Sequence, residues 1–343
     1  MPVSIKDIAQ AANVTPGTVS RALRDSPRVN SETKKRIQQI AAQMGYSPDA
    51  QARSLVEGRT RTIGVVVTTM TDPFIGGIVQ AIETSAHDHG YSLILASSND
   101  SSEREIAAAE TLQSKRVDGV IVASSRVGVL HQGRLERLGV PVVLINSLVQ
   151  HRGRYTFSIG VGNRHGGFVA TEHLLQLGHR RIAYVTAPDD RSDSMERLAG
   201  YHEALAGAGV DSDPALLVRG TGRAGGGERA LPALQALEDP PTAVFCYNDM
   251  TAIGLIHAAH AAGLSLPRDL AVVGFDDIVF APYVYPPLTT VAQPVVELGK
   301  GAMEMVLTLL PDGSTNPDAS TDRTLPGRLV VRASSGAKRS AVN

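Results

Sequence analysis

The chain has 343 residues, of which 43% are hydrophobic and 20% are charged, and its net charge is −1. This length allows two or three domains with real cores, and the near-neutral charge argues against a protein that coats nucleic acid over its whole surface. The single cysteine, Cys246, excludes an internal disulfide and a cysteine-based zinc site, and no membrane or signal segment is predicted. We therefore expect a cytoplasmic protein.

The charge is unevenly distributed along the chain. Residues 1–60 contain nine Lys and Arg against five Asp and Glu, so this part carries +4 and the remainder carries −5. A small basic module on a mildly acidic body indicates local contact with phosphate groups.

The first predicted elements are two short helices. Apolar residues recur at helical spacing from Ile5 to Ala12, and Ser4 precedes them as an N-cap. A second helix follows, with Thr15 as N-cap and Pro16 at the first helical position, where a missing N–H costs nothing. Two helices joined by a tight turn, with a polar and basic outer face, are typical of a helix-turn-helix.

A third helix and a short connecting stretch come next. Asn30 is placed to cap the third helix and Gly45 to end it. Residues 49–57 are compatible with a helix, but a helix this short is marginal in water. Taken alone, the stretch is therefore expected to be a linker between the headpiece and the rest of the chain.

From Arg61 onward, apolar strand candidates alternate with helix candidates. The strand candidates are Thr62–Val67, Leu93–Ala96, Gly119–Val122, Val142–Ile145, Ile182–Val185, Ala243–Tyr247 and Ala271–Phe275. The helix candidates are Ile75–Gly90, Ser102–Lys115, Gly166–Leu177, Arg197–Ala208, Gly227–Leu237, Met250–Ala262 and Val295–Leu310. Apolar strands separated by helices predict parallel sheets covered on both faces. We predict an α/β chain with an N-terminal three-helix helix-turn-helix headpiece and a bilobed core of two parallel-sheet subdomains.

Several short motifs allow a family to be suggested. They are Asp7-Ile8-Ala9, Asn13-Val14, Thr18-Val19-Ser20-Arg21, Gly45-Tyr46-Ser47-Pro48 and, much later, Tyr285–Pro294. In these motifs the chain resembles the lactose-repressor (LacI/GalR) family of bacterial transcription regulators, and the resemblance extends almost to its end. It implies a transcription repressor with a periplasmic-binding-protein-like core.

The resemblance also implies domain bounds. The headpiece would occupy residues 1–46, the hinge 47–60 and the effector-binding and dimerisation core 61–343. Within the core, the N-subdomain would comprise about 61–160 and 290–318, and the C-subdomain about 161–288 and 319–335. The three crossings between lobes would fall near Ser158–Val161, Pro287–Thr290 and Asp318–Asp322.

On the DNA side, the resemblance implies a homodimer bound to a pseudo-palindromic operator, with headpieces in the major groove and hinge helices in the minor groove. Arg21 is the best candidate for reading a base, namely guanine, and Leu55 for the wedge between base steps. The full set of candidate DNA-binding residues is Ser4, Thr15, Pro16, Gly17, Thr18, Ser20, Arg21, Arg24, Asn30, Thr33, Tyr46, Ala52 and Leu55. No heptads follow residue 335, so a dimer is expected rather than a coiled-coil tetramer.

Polar residues that follow the predicted strands are the candidates for binding an effector, because ligands bind beyond the carboxyl ends of parallel strands. Arg197, which we expect to open a helix, matches a family position that contacts effector. The candidate set is Asp72, Phe74, Ser124, Asn146, Arg197, Asn248, Asp276 and Gln293. Carboxylates, amides, hydroxyls and an arginine suit the hydroxyl groups of a sugar. Asn and Asp after strands can also simply cap the next helix.

Two other functions remain open. A purine or a protein could serve as corepressor, although Gly222–Gly227 stands where relatives place an aromatic ring on the effector. The run Gly220–Gly225 matches the G-x-G-x-x-G pattern of NAD-dependent enzymes. Against it, Pro232 is expected to interrupt the following helix early and the unit comes late in the chain, so a flexible glycine loop at the cleft rim is favoured.

No catalytic or metal-binding set is recognisable. His257 and His260 lie on one helix without a nearby carboxylate or cysteine to complete a metal site. Neither a nucleophile elbow nor a Walker loop is present. We expect a binding protein without enzymatic activity, cofactor or metal.

Overall fold

The computed structural model describes residues 3–46, 58–123, 129–147, 155–188, 191–310 and 322–336. These residues belong to two compact units, Met1–Thr60 and Arg61–Asn343.

The first unit is a three-helix headpiece, as predicted. Its helices are α1 (Ile5–Ala11), α2 (Pro16–Leu23) and α3 (Ser31–Gln43). A left-handed residue follows each helix, namely Asn13, Asp25 and Gly45, with φ of +51°, +56° and +66°. Residues that tolerate this conformation stop a helix and let the chain turn, and the three helices then share one small core that includes Ile8, Val19 and Ile37.

The second unit contains all the described strands. They are β1 (Thr62–Val67), β2 (Ser92–Ser97), β3 (Gly119–Ala123), β4 (Val142–Ile145), β5 (Thr156–Val161), β6 (Ile182–Val185), β7 (Leu217–Val218), β8 (Ala243–Cys246), β9 (Ala271–Asp276), β10 (Thr289–Ala292), β11 (Asp322–Leu325) and β12 (Arg328–Val330). Its helices are α4 (Pro73–Asp88), α5 (Ser102–Ser114), α6 (Val129–Glu136), α7 (Asn163–Gln176), α8 (Ser192–Gly207), α9 (Ala224–Gln235), α10 (Asp249–Ala261) and α11 (Val295–Leu309).

The strands form two six-stranded sheets, one in each lobe. The first has the order β11-β5-β4-β3-β1-β2 and is parallel throughout. The second has the order β12-β10-β9-β8-β6-β7 and is parallel except for β12, which runs antiparallel to β10. The buried Val, Ile and Ala side chains of the strands pack against helices on both faces, so the predicted bilobed α/β architecture is confirmed.

The crossings between the lobes differ from the expected ones. Ser158–Val161 lies within β5, so the chain leaves the first sheet only after Val161. Strand β10 belongs to the second sheet and β11 to the first, whereas the expected subdomain bounds assigned residues 290–292 and 322–325 the other way round. Most of Asp318–Asp322 lies outside the described residues. Strand β10 is buried whereas β11 is polar and largely exposed, and neither pattern carries a local signal for which of two similar sheets the strand joins, so the sequence could not decide this.

Two helix expectations were wrong. Helix α8 begins at Ser192, so Arg197 lies in its second turn rather than opening it. The early start gave no sequence signal, because no side chain caps this helix. Helix α9 continues through Pro232 to Gln235. The proline stands in the last turn, where it removes only one hydrogen bond, and its carbonyl still accepts one from the Ala236 amide.

Candidate functional site

Helix α2 presents the candidate DNA-reading face of the headpiece. Val19 and Ala22 are fully buried, whereas Gly17, Arg21 and Arg24 are exposed. Because residues three, four and seven apart share one side of a helix, these three residues and the half-buried Ser20 form a single polar strip. The strip contains the charged and hydroxyl groups that contact phosphates and base edges.

The two arginines of this strip lie back along their own helix. The Nε of Arg21 donates to the Gly17 carbonyl at 3.0 Å. The Nε of Arg24 donates to the Ser20 carbonyl at 3.2 Å, and its Nη2 donates to the Ser20 hydroxyl at 3.1 Å. Exposed hydrogen bonds of this kind exchange readily with other partners, so both guanidiniums can be redirected towards a duplex.

Three candidate DNA-binding residues act as helix caps. Ser4, Thr15 and Asn30 are the N-caps of α1, α2 and α3, and each side-chain oxygen accepts a backbone N–H. At Ser4 the cap is reciprocal: its backbone N–H and hydroxyl donate to Asp7, and these bonds lower the pKa of that carboxyl. These side chains position the helices whether or not they also contact DNA.

The remaining candidates of the headpiece are placed as follows. Pro16 occupies the first position of α2, and Thr18 and Thr33 are half-buried and donate their backbone N–H groups to the caps Thr15 and Asn30. Tyr46 packs half-buried against the headpiece core. Ala52 and Leu55, together with the hinge, lie outside the described residues.

A cavity of about 320 Å³ lies between the two lobes of the second unit, at the carboxyl ends of strands from both sheets. Seven of the eight candidate effector residues line it: Asp72, Phe74, Asn146, Arg197, Asn248, Asp276 and Gln293. Ser124 lies outside the described residues. Sequence reasoning missed several further lining residues, of which the most informative are Asp100, Arg191, Asp193, Arg223 and Tyr247.

Arg197 lies at the floor of this cavity, with only 2% of its side chain exposed. Its Nη1 donates to the Tyr247 carbonyl at 2.6 Å, and its Nε donates to Asn163 Oδ1 at 2.9 Å. The guanidinium stacks 3.6 Å from the centre of the Phe275 ring and 4.6 Å from that of Tyr247. These contacts fix the charge in place, so it is presented to a ligand without further ordering.

Asp193 adds a carboxylate beside this arginine. It accepts a 2.6 Å hydrogen bond from the Tyr247 hydroxyl, and it lies 3.3 Å from Arg191 and 3.9 Å from Arg197. Burial alone would raise the pKa of Asp193, but the two guanidiniums and the Tyr247 hydrogen bond together outweigh it and hold that pKa below the usual value. Asp193 is thus an ionised acceptor, located one helical turn before Arg197.

A hydrogen-bonded relay of three residues that line the cavity crosses between the lobes. Asn146, after β4 of the first sheet, donates to Gln293 Oε1 at 2.7 Å. Gln293, after β10, donates in turn to Asp276 Oδ1 at 2.7 Å, at the end of β9. Asp276 adopts a φ of +114°, a costly conformation for a residue other than glycine. Burial raises the pKa of Asp276 well above its ordinary value, and Arg197 offsets only part of that rise.

Asp72 and Asn248 cap helices, as the simpler interpretation expected. Asp72 accepts the Phe74 N–H at 2.9 Å, and burial raises the pKa of its carboxyl. Asn248 Oδ1 accepts from Thr251, while its Nδ2 donates to the Gly222 carbonyl at 2.9 Å. Capping and lining are compatible here, because both residues also border the cavity.

The glycine loop that matched the dinucleotide pattern is used for close packing. A β-carbon on Gly220 would overlap the carbonyl oxygen of Thr186, and one on Gly227 would overlap that of Thr251. These glycines allow α9 to approach its neighbours, which is a structural reason for their presence. The loop still borders the cavity through Thr221, Gly222 and Gly225.

Neither a metal centre nor a membrane segment is found in the described part of the chain. No group of three or more His, Cys, Asp and Glu side chains there is arranged to hold a metal ion. His260 instead shares a hydrogen bond with the Tyr285 carbonyl. Among the described helices, none is long and apolar enough to cross a bilayer.

Both units of the chain match known protein families. Residues 4–49 match the family of bacterial regulatory proteins of the lacI type, and residues 171–335 match a periplasmic binding protein-like domain. The HTH-type transcriptional repressor CytR of Escherichia coli (strain K12) is 33% identical over 334 residues, covering 97% of this chain and 96% of CytR.

Two solved structures resemble the whole chain. The Lac repressor dimer bound to operator and the anti-inducer ONPF has a TM-score of 0.88 at 27% identity, covering 98% of this chain and all of the other. The complex of the transcriptional regulator CelR with cellobiose has a TM-score of 0.73 at 29% identity, covering 97% of this chain and 99% of the other.

Proposed function

Since this chain belongs to the LacI family and is a DNA-binding transcription regulator rather than an enzyme, we propose that it is a repressor whose affinity for its operator is controlled by a sugar bound between the lobes of its core. The observation that carries the sugar assignment is the chemistry of the 320 Å³ cavity. Its floor combines fixed carboxyl and guanidinium groups at Asp193, Arg197 and Asp276, with the amides of Asn146 and Gln293 beside them.

This donor and acceptor set matches a polyhydroxylated ring. Each sugar hydroxyl donates one hydrogen bond and accepts others, so a ring is best held where acceptors and charged donors alternate. Phe74 and Tyr247 add apolar surface for the faces of the ring. The structure of CelR, which the whole chain resembles, is a complex with cellobiose, which supports the same ligand class.

On the DNA side, the proposal assigns base reading to α2. Arg21 is the principal reader, with Thr18, Ser20 and Arg24 contacting bases or phosphates. The headpiece comprises residues 1–46, the hinge 47–60 and the core 61–343, and Leu55 of the hinge is the wedge that enters the minor groove. A homodimer places two such headpieces on a pseudo-palindromic operator. We assign the protein to the cytoplasm, where its DNA target lies.

The relay through Gln293 offers a physical route between the two activities. It joins the carboxyl edges of both sheets directly beside the ligand space, so a ligand that moves either edge must change the angle between the lobes or break the relay. The dimer then transmits the lobe movement to the headpieces as a coupling free energy, typically about 1–3 kcal/mol.

The proposal is tested in two steps. First, an operator is selected from random duplexes with the full-length protein, and salt-sensitive binding to a twofold-symmetric site is expected. Second, thermal unfolding is measured with glucose, galactose, ribose, adenosine and NAD, and a sugar is expected to raise the midpoint. Stabilisation by adenosine without any response to sugars would favour a purine-type effector instead. Stabilisation by NAD alone would favour the alternative in which the glycine loop binds a dinucleotide.

A further inference from the structure

Charged side chains from opposite lobes meet at the mouth of the cavity. Asp100, in the loop after β2 of the first lobe, lies 2.9 Å from Arg223 Nη2, in the loop before α9 of the second lobe. Its other carboxylate oxygen lies 3.7 Å from Arg191 Nη1, also of the second lobe. One carboxylate therefore faces two guanidiniums across the space between the lobes, and we name these three residues the interlobe clasp.

The clasp lies at the outer end of the cavity. Arg197 and Asp193 at the floor are 2% and 7% exposed, whereas Asp100 and Arg223 are 26% and 53% exposed. All four line the same cavity, so the gradient in exposure runs from its floor to its mouth. A ligand that extends from the floor towards these two loops reaches the clasp.

Both loops that carry the clasp are tied to the cavity wall. The Asn248 side chain donates to the Gly222 carbonyl at 2.9 Å, directly before Arg223. The Asp100 N–H donates to the Thr68 carbonyl at 3.2 Å, which fixes the other side. The two charges are thus held at the mouth by residues that also border the ligand space, rather than extending freely into solvent.

We propose that the interlobe clasp limits the size of the effector to a single sugar ring and excludes a ring extended by a second sugar or a base. The cavity of about 320 Å³ lies at the lower end of the range of about 300–1,000 Å³ that is usual for small-molecule sites. A longer ligand that extends between these two loops has to separate Asp100 from Arg223 and break their 2.9 Å ion pair. Arg223 is therefore a specificity-determining residue. This inference rests on the proposed sugar-binding function.

The test compares ligands that share one ring. Dissociation constants are measured by calorimetry on the full chain for three pairs: glucose with cellobiose, galactose with lactose, and ribose with adenosine. The wild type is compared with Arg223→Ala, which breaks the Asp100–Arg223 pair of the clasp, and Arg223→Lys, which keeps the charge. Arg229→Ala is the matched control, because this exposed arginine on α9 does not line the cavity.

In at least one of the three pairs, the wild type should bind the single-ring ligand more tightly than the longer ligand. In Arg223→Ala the affinity for the longer member relative to the shorter one should rise by up to about fivefold, the upper limit for an exposed ion pair. Arg223→Lys should restore most of the wild-type ratio, and Arg229→Ala should leave it unchanged.

The possible failures are distinguishable. If the wild type binds a longer ligand as tightly as its single ring, or if Arg223→Ala shows the wild-type ratio, the size limit is overturned while sugar binding stands. If no sugar binds the wild type or the variants, the proposed function fails and the size limit fails with it.

Discussion

Replacing Asp249 with Asn should make the core less sensitive to pH. Asp249 opens α10 and is completely buried, where it accepts hydrogen bonds from the Thr290 hydroxyl and from the Ile278 N–H at 2.9 Å. Burial raises the pKa of its carboxyl from 3.8 to about 7, and nearby Asp277 adds to the rise. The unfolded chain therefore loses this proton near pH 4, whereas the folded chain keeps it until about pH 7.

The sign and size of the effect follow from this difference in pKa. Between these two pH values the folded protein binds more protons than the unfolded chain, so its stability falls as the pH rises. A shift of roughly three pKa units corresponds to about 4 kcal/mol in total, of which about 2.5 kcal/mol is lost between pH 5 and pH 8. Asn is neutral throughout and resembles the protonated acid in shape, so Asp249→Asn should not lose this stability.

The assay is urea unfolding followed by circular dichroism at pH 5, 6, 7 and 8. The free energy of unfolding of Asp249→Asn, relative to that of the wild type, should increase by about 2.5 kcal/mol over this range. The exposed carboxylate Asp211 provides the matched control, and Asp211→Asn should follow the wild type. Parallel curves for the wild type and Asp249→Asn would show that this carboxyl is ionised in the folded core, and the burial argument would then be wrong.

Three further substitutions test other parts of the account. Arg21→Ala should lower the preference for operator over random duplex by about 1–3 kcal/mol in gel shifts while sugar binding persists, and retained preference would refute its role as base reader. Gly167→Ala should destabilise the core by about 1–3 kcal/mol in urea, because a β-carbon there overlaps the Arg197 carbonyl, whereas Gly207→Ala, with open space around it, should not. Gln293→Leu should cost about 1–3 kcal/mol of stability by leaving both relay partners unpaired, and it should weaken the effect of sugar on operator affinity; an unchanged effect would exclude the relay from the coupling.

Local signals predicted most of the fold. The N-caps Ser4, Thr15 and Asn30 mark the three headpiece helices, and the bounds of β1 and β4 were predicted to the residue. In each case, the residues that signal the helix or strand lie within a few positions of its ends. Helix α6 was missed because Gly133 weakens its pattern, and the crossings were misplaced because strands of either sheet look alike.

The candidate site was predicted where a residue directly follows a strand. Asn146 and Asn248 fit that rule, and both line the cavity. Asp193 did not, because it lies within a helix whose start has no capping signal. The clasp between Asp100 and Arg223 joins residues 123 positions apart on different lobes, and no local pattern reports such a pairing.

The most direct test of the central claim is reciprocal coupling between sugar and operator on one protein. The affinity for the selected operator is measured by fluorescence anisotropy with and without a saturating sugar, and the affinity for that sugar is measured with and without operator. Both ratios should differ from one by the same factor, within about 5- to 150-fold, because linkage requires the two effects to be equal. A sugar that binds the cavity tightly and leaves operator affinity unchanged would contradict the account.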